Sequence, residues 1–489
     1  MYIGLDLGTS ELKALLLAPD HRVVAVARAP LAVSRPQPLW SEQPPEDWWQ
    51  ATERVLDELA ARHPDAMREV RAIGLSGQMH GAVVLDADRK VLRPAILWND
   101  GRSGAQCEAL SQSMPALTGI TGNLAMPGFT APKLAWMRDY EPALFDRVAR
   151  VLLPKDYLRL RLTGEAITDY SDASGTMWLD VGARGWSTPM LAATGMRATQ
   201  MPRLVDGSAP SAGVLPQWTR RFRLRSEVIV AGGAGDNAAS AVGIGAISPG
   251  QGFVSLGTSG VIFVTTDRFM PNPGNAMHAF CHAMPGRWHQ MSVMLSAASA
   301  VAWAARAFGF ADEASLLASA ERLPDTQRES APLFLPYLSG ERTPHNNPHA
   351  QGVLFGLTHS HDAAALAYAV VEGVTLGLLD GFQTLTSAQG RAVTVLSAVG
   401  GGSRSAFWMQ MLSSALDVSL LVHTGGEVGG ALGAARLGWL ADGGSPAEVC
   451  RPPPLDRHFD PGPAQRSQLA ARHQRFRALY SPLFGGFAH

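Results

Sequence analysis

Cysteine is scarce in this 489-residue chain: Cys107, Cys281 and Cys450 stand far apart, with no CxxC and no Cys/His cluster. That usage offers neither a disulfide framework nor a structural zinc site, and it fits a reducing cytosol. Charge of one sign is scarce as well, with 41 Lys and Arg against 42 Asp and Glu. Without a basic excess or stripe there is no electrostatic footprint for nucleic acid or an anionic membrane, and neither is expected as a partner. No run reaches the ~18 to 20 uncharged apolar residues that span a bilayer. The longest candidate, Ser292 to Ala305, is rich in Ala and Ser, ends at Arg306 and reads as a buried helix. No basic residue precedes the first apolar stretch and Asp6 sits inside it, so the start does not read as a signal peptide. A Walker A GxxxxGK[ST] loop and a GxGxxG with a distal acid are also missing. What remains is 46% hydrophobic and 17% charged, the balance of a globular protein with a buried core. The length suits two or three domains at ~150 residues each.

Apolar patterning points to α/β architecture. Tyr2 to Asp6 and Ala14 to Leu17 read as strands around the turn Gly8-Thr9-Ser10. Residues 46 to 62 carry acids first and then Trp48, Trp49, Val55, Leu56 and Leu59 at helical spacing. Strands are expected at Ala72 to Leu75, Ala82 to Leu85, around VIVAG after Glu227, and at Val393 to Ser397. Helices are expected at Ala364 to Phe382, Ser405 to Leu416 and Gly429 to Leu440. Residues 105 to 225 are less regular. Alternating helices and strands of this kind build α/β folds.

One internal echo organises the chain. LGTS occurs at Leu7 to Ser10 and again at Leu256 to Ser259, 249 positions later, each copy between two apolar strand-like runs. Two similar lobes are expected, residues 1–246 and 253–489, with a loop at Ile247 to Gly252 marked by Pro249 and Gly250. A Gly-Thr-Ser turn exposes backbone N–H groups and hydroxyls on one side, as a phosphate cradle requires. Two turns facing each other could clamp one nucleotide, with Thr9, Ser10, Gly257, Thr258 and Ser259 on its phosphates. Asp6, ending the first strand, makes sense beside phosphate only with Mg²⁺ between them; a solvated turn carboxylate is the alternative. Only four lysines occur, and Lys13 just after the first turn is either a point charge for phosphate or a strand-edge residue.

Gly232-Gly233-Ala234-Gly235-Asp236-Asn237 follows a strand and opens a helix. Asp236 is either an N-cap or a general base for a hydroxyl attacking phosphorus. Gly400-Gly401-Gly402 after a later strand could admit an adenine, or simply turn the chain. His80, on the Gln78 to Gly81 loop, belongs to no HxxxH or HExxH pattern, so hydroxyl recognition or a structural role stays open for it. Trp98-Asn99-Asp100 with Arg102 sets an aromatic face beside polar forks, a composition suited to sugar or to a packed surface turn.

These segments resemble the FGGY carbohydrate kinases of the actin-like ATPase superfamily over nearly the whole length. The resemblance is carried by MYIGLDLGTS, WSEQPPEDWW, SGQMHG, LWNDGR, GNLAMPGFTAPKLAW, LLPKDYLRLRLTG, GDNAA, SLGTSG, LPYLSGERTPHNNP and GGGSRSAFW. Gly128 to Trp136 matches the first family signature, and Gly352 to Leu357 with Leu366 to Glu372 most of the second. The resemblance implies an α/β, actin-like (ribonuclease H-like) fold of two related lobes, with ATP and sugar in the cleft between them. The MHG and ERTPHNNP runs point to the branch that phosphorylates D-xylulose at O5 in D-xylose catabolism. Another ketopentose or pentitol (D-ribulose, L-xylulose, an arabinitol) and a non-enzymatic actin-like ATPase are the alternatives. By this resemblance Asp236 is the catalytic base and Asp6 the carboxylate near Mg²⁺. It also implies that Met79 and His80 contact the ketose with Asp236 and Asn237, that Thr9, Ser10, Thr258 and Ser259 hold ATP phosphates, and that Gly401 and Gly402 hold the adenosine; Trp98 is a sugar-binding candidate from the composition of its loop. Three residues depart from the pattern: the extra residue in GGAGDN, Ala365 at a usually polar position, and Tyr140 ending the first signature. The oligomeric state is not legible, and a homodimer is one option.

Overall fold

The apolar residues flanking the first Gly-Thr-Ser turn alternate between two faces that are both covered. Ile3, Leu5, Leu7, Leu12, Ala14 and Leu16 enter one core, while Tyr2, Leu15 and Leu17 enter another. A strand buried on both faces reads as a continuous apolar run, and the computed structural model, which describes residues 1–385, 393–425 and 429–485, forms it accordingly. Tyr2–Leu7 pairs antiparallel with Glu11–Leu17 on one side and parallel with Ala72–Gly77 on the other. The full sheet has seven strands: Pro210–Gly213, Ile229–Ala231, Ala72–Gly77, Tyr2–Leu7, Glu11–Leu17 and Val23–Pro30 in spatial order, with Ala234–Gly235 added beside Ala72–Gly77.

The second copy repeats this topology. Gly252–Leu256 pairs antiparallel with Gly260–Thr266 and parallel with Val395–Val399, which pairs parallel with Ser419–His423. Leu455–Phe459 closes one edge; Trp288–Met294 and His278–Cys281 lie on the other. Strand for strand, the Gln78-Met79-His80 loop of the first sheet therefore occupies the place that Gly400-Gly401-Gly402 holds in the second. The LGTS echo marks a duplicated architecture.

The lobes meet through two helices, Asp236–Ile244 and Gly429–Ala441, which occupy equivalent places in them. The second helix also lies on the first sheet. A Cβ at Gly74 would overlap the Ala434 carbonyl, and one at Gly433 would overlap that of Ala239. Only glycine permits approaches this close.

Several expected elements shift. Helices form at Pro45–Arg62, Ala363–Gln383, Ala406–Leu416 and Gly429–Ala441, and the strand expected at 393 starts at Val395. Ser292 to Ala305 is not one helix: Trp288–Met294 is a strand and the helix is Ala298–Ala307. The pairing with Gly260–Thr266 captures Ser292 to Met294 against their helix-forming neighbours. The one described helix with the length and hydropathy of a membrane span is Ala363–Gln383, 83% buried over its most apolar window. Its Glu372 is bound by Arg472 and its Asp380 by His473, both from the helix Pro463–Phe484, which marks it as an internal core helix.

Candidate active site

Asp6, one residue before the end of its strand, lies directly across the hairpin from Lys13. Ser76 Oγ donates to Asp6 Oδ1 at 2.9 Å, and burial raises the Asp6 carboxyl above its ordinary range while Ser76 and Lys13 pull it back. Lys13 is only partly committed to this task, since its Nζ also lies 3.1 Å from Glu11 Oε1. The first turn of Gly429–Ala441 lies over the same carboxylate, where a Cβ at Gly430 would fall 2.6 Å from Asp6 Oδ2. Nothing in the sequence linked residue 430 to residue 6, because a helix of the second lobe supplies the contact.

Asp236 is not an N-cap. Gly235 caps the helix and Asp236 is its first residue. The extra residue of GGAGDN is absorbed by a left-handed turn at Gly233 (φ 79°), after which Ala234–Gly235 rejoin the sheet beside Ser76–Gly77. Asp236 Oδ1 accepts from the backbone N–H of Asn237 at 2.7 Å and from Asn237 Nδ2 at 3.0 Å. Burial pushes this carboxyl up to about 6; the Asn237 bonds oppose the rise and the Asp6 charge adds to it.

Met79 packs on Gly235, where a Cβ would lie 2.7 Å from its Sδ. His80 has positive φ (69°) and its Nδ1 lies 2.7 Å from the Gly175 carbonyl. Burial lowers the His80 imidazole to about 3, so it is neutral at ordinary pH. Nδ1–H then donates to Gly175, and Nε2 carries the lone pair. Lys133, fully buried, donates to the carbonyls of His80 at 2.9 Å and Gly128 at 2.7 Å. Phe129 and Phe280 flank the imidazole, and Phe280 stacks on His278. His278 Nε2 is 3.4 Å from Arg342 of the ERTP run. Lys133, Phe280, His278 and Arg342 escaped sequence reasoning; only the rarity of lysine hinted at the first.

Trp98 is 40% exposed, and its Nε1 donates to Thr9 Oγ1 at 2.9 Å. Thr9 in turn donates to Gln78 Oε1 at 3.1 Å. The Thr9 hydroxyl proton is thus committed within the protein, unlike the exposed Ser10 and Thr258. The polar forks beside Trp98 are also committed. Arg102 Nη2 lies 2.6 Å from Asp100 Oδ2 and the guanidinium stacks on Trp40, with both charges buried. Asp100 and Arg102 build the loop, while Asn99 beside Trp98 is exposed. In the second lobe, the N–H groups of Ala297 and Ala298 donate to the carbonyls of Thr258 and Gly257, fixing the Gly257-Thr258-Ser259 turn on the next helix. A Cβ at Gly402 would press on Leu256 and Trp408, whereas one at Gly401 would meet open space. Among the described residues no three His, Cys, Asp or Glu side chains gather as a metal cage.

Residues 1–243 match the model of the FGGY family of carbohydrate kinases, N-terminal domain, and residues 252–441 match the C-terminal domain. The chain belongs to the FGGY family of carbohydrate kinases. Within this family it is 50% identical over 489 residues to a xylulose kinase of Klebsiella pneumoniae and 49% identical over 486 residues to one of Escherichia coli. In both cases 99% of each chain is covered. The crystal structure of a "xyloylose kinase" from Brucella ovis superposes with a TM-score of 0.95 at 49% identity, again over 99% of each chain. Two of the three FGGY departures, Tyr140 and Ala365, lie away from the carboxylates, while the third is in the loop that leads into Asp236. Tyr140 ends the helix Thr130–Tyr140, stacked on Trp136, and Ala365 offers its backbone N–H to the cap Asp362.

Proposed function

We propose that this FGGY kinase transfers the γ-phosphoryl group of ATP to O5 of D-xylulose, giving D-xylulose 5-phosphate and ADP. The observation that carries the mechanism is the pairing of two raised carboxylates, Asp6 and Asp236, with a neutral His80 on the adjoining loop. Asp236 Oδ1 is spent on Asn237, which leaves Oδ2 to take the proton of the attacking hydroxyl. Held near 6 by burial, the carboxyl is ionised at neutral pH yet basic enough to share that proton in the transition state. His80 Nε2 accepts a second sugar hydroxyl, Met79 and Trp98 shape the pocket, and Asn237 orients the base.

The 1–246 lobe holds the sugar and the base, and the 253–489 lobe holds the nucleotide. The Gly8 and Gly257 N–H groups close their own turns on the Glu11 and Ser259 carbonyls, which leaves the amides of Thr9, Ser10, Thr258 and Ser259, with the hydroxyls of Ser10, Thr258 and Ser259, for the phosphates, while Gly401 and Gly402 receive the adenosine. Asp6, a hard oxygen donor next to these turns, suits Mg²⁺ held through water, the mode in which this ion pairs one carboxylate with substrate phosphates. Such an ion supplies charge neutralisation at the phosphates when bound. Closure of the lobes about the Asp236–Ile244 and Gly429–Ala441 helices excludes water that would otherwise accept the phosphoryl group. The enzyme works in the cytosol, where its co-substrate ATP is supplied.

The test is ADP release coupled to a sugar panel of D-xylulose, D-ribulose, L-xylulose and the arabinitols. D-xylulose is expected to give the highest kcat/KM; a higher value for any other member overturns the assignment of the sugar.

A further inference from the structure

Beneath the Gly232 to Gly235 loop lies a cluster of charge sealed from water. The side chains of Lys155, Asp156, Arg159, Asp169 and Asp172 are all fully buried. Lys155 Nζ stands 2.6 Å from Asp156 Oδ1, 2.7 Å from Asp169 Oδ2 and 3.0 Å from Asp172 Oδ2. Lys155 and Arg159 share a face of the helix Pro154–Thr163, four residues apart. Burial, reinforced by Asp156 and Asp169 and opposed by Lys155, holds the Asp172 carboxyl well above its ordinary range.

A buried ionic cluster is weak evidence for stability, since apolar residues of the same volume often serve as well or better. Its outward hydrogen bonds are more telling, because they converge on one loop. Arg159 donates to the carbonyls of Ala231 and Gly232, at 2.5 Å each, and to Ser211 Oγ. Ser171 Oγ donates to Asp169 Oδ1 and accepts from the Gly235 N–H at 3.2 Å. Gly235 immediately precedes Asp236.

We propose that this cluster positions the catalytic base: Ser171 and Arg159, anchored through Asp169, Asp156 and Lys155, fix the backbone from Ala231 to Gly235 and so set where the Asp236 carboxylate stands. The proposal rests on the assignment of Asp236 as base. Ser171 and Arg159 touch neither sugar nor nucleotide in this arrangement; they are positioning residues, acting through the loop.

Ser171→Ala deletes the hydroxyl between Gly235 and Asp169, and Arg159→Lys keeps the charge but removes the planar fork that sets Nη1 on the Ala231 carbonyl and Nη2 on that of Gly232. In each, kcat with D-xylulose is expected to fall roughly 10- to 100-fold, the range a sub-ångström to 1 Å misplacement produces. KM for ATP is expected to stay at the wild-type value, and the acid limb of kcat/KM to shift as the Asp236 surroundings change. Ser171→Thr, which restores the hydroxyl, is expected to recover kcat. Thermal unfolding of each variant gives the folded fraction. Wild-type kcat and acid limb in either folded variant, or activity lost only in step with the folded fraction, overturns the proposal. Wild type and Asp236→Asn are measured alongside. A wild type inactive on D-xylulose defeats the assignment of the sugar and an active Asp236→Asn defeats that of the base, whereas unaffected Ser171 and Arg159 variants beside an inert Asp236→Asn defeat the positioning alone.

Discussion

Replacing Asp236, the proposed base, with its neutral isostere is expected to stabilise the enzyme while abolishing turnover. Burial raises the Asp236 carboxyl from 3.8 to about 6. At about 1.4 kcal/mol per tenfold change in proton affinity, ionising it in the folded protein costs about 3 kcal/mol. Because the folded value is the higher one, its stabilising contribution is complete below pH 3.8 and is lost as pH rises through about 6. Above that point the wild type carries a charge that the fold disfavours. Asp236→Asn keeps the shape and an oxygen for the Asn237 bonds but has no charge to bury. Allowing for partial hydration of the carboxylate from the cleft, a gain of about 1 to 3 kcal/mol remains at pH 7.5. At about 2 to 4 °C per kcal/mol for a domain of this size, the unfolding midpoint of the lobe should rise by several degrees. Differential scanning calorimetry at pH 7.5 and pH 4.5 checks it: the variant leads at the higher pH, and the gap narrows at the lower one. A gap independent of pH, or a variant less stable at pH 7.5, refutes the reasoning.

Three further substitutions probe separate parts of the account. Gly401→Ala places a methyl in open space, so the unfolding temperature should hold. KM for ATP should rise roughly threefold to tenfold, the loss expected from up to about 1.4 kcal/mol of crowding at the adenosine; an unchanged KM removes Gly401 from that site. Gly430→Ala sets a Cβ against Asp6 Oδ2, and initial rates should show kcat falling roughly 10- to 100-fold. The better helix preference of Ala, about 1 kcal/mol, should keep stability near wild type. Arg472→Met leaves Glu372 buried without its partner and should cost about 3 to 5 kcal/mol in denaturant unfolding. Adding Glu372→Met should restore most of that loss.

Much of the fold was legible because both halves announce themselves locally. Each LGTS turn lies between strands buried on two faces, and such strands leave unbroken apolar runs in the sequence. The strand at Ser292 was misread because sheet pairing overrides an Ala- and Ser-rich neighbourhood. The carboxylates were legible from their positions at a strand end and a helix start. Their surroundings were not. Gly430 reaches Asp6 from the other lobe, and the Arg102 that suggested sugar recognition is closed on Asp100. Thr9, expected on phosphate, gives its proton to Gln78. Contacts between residues tens to hundreds of positions apart decide these roles, and no local pattern encodes them.

The central claim is tested most directly by phosphorus NMR of D-xylulose and Mg·ATP incubated with wild type and with Asp236→Ala. The account expects the wild type to form a single sugar phosphate, on O5, in equal amount to ADP, with none above background from the variant. A wild type that forms no sugar phosphate, or an Asp236→Ala that forms it at the wild-type rate, would contradict it.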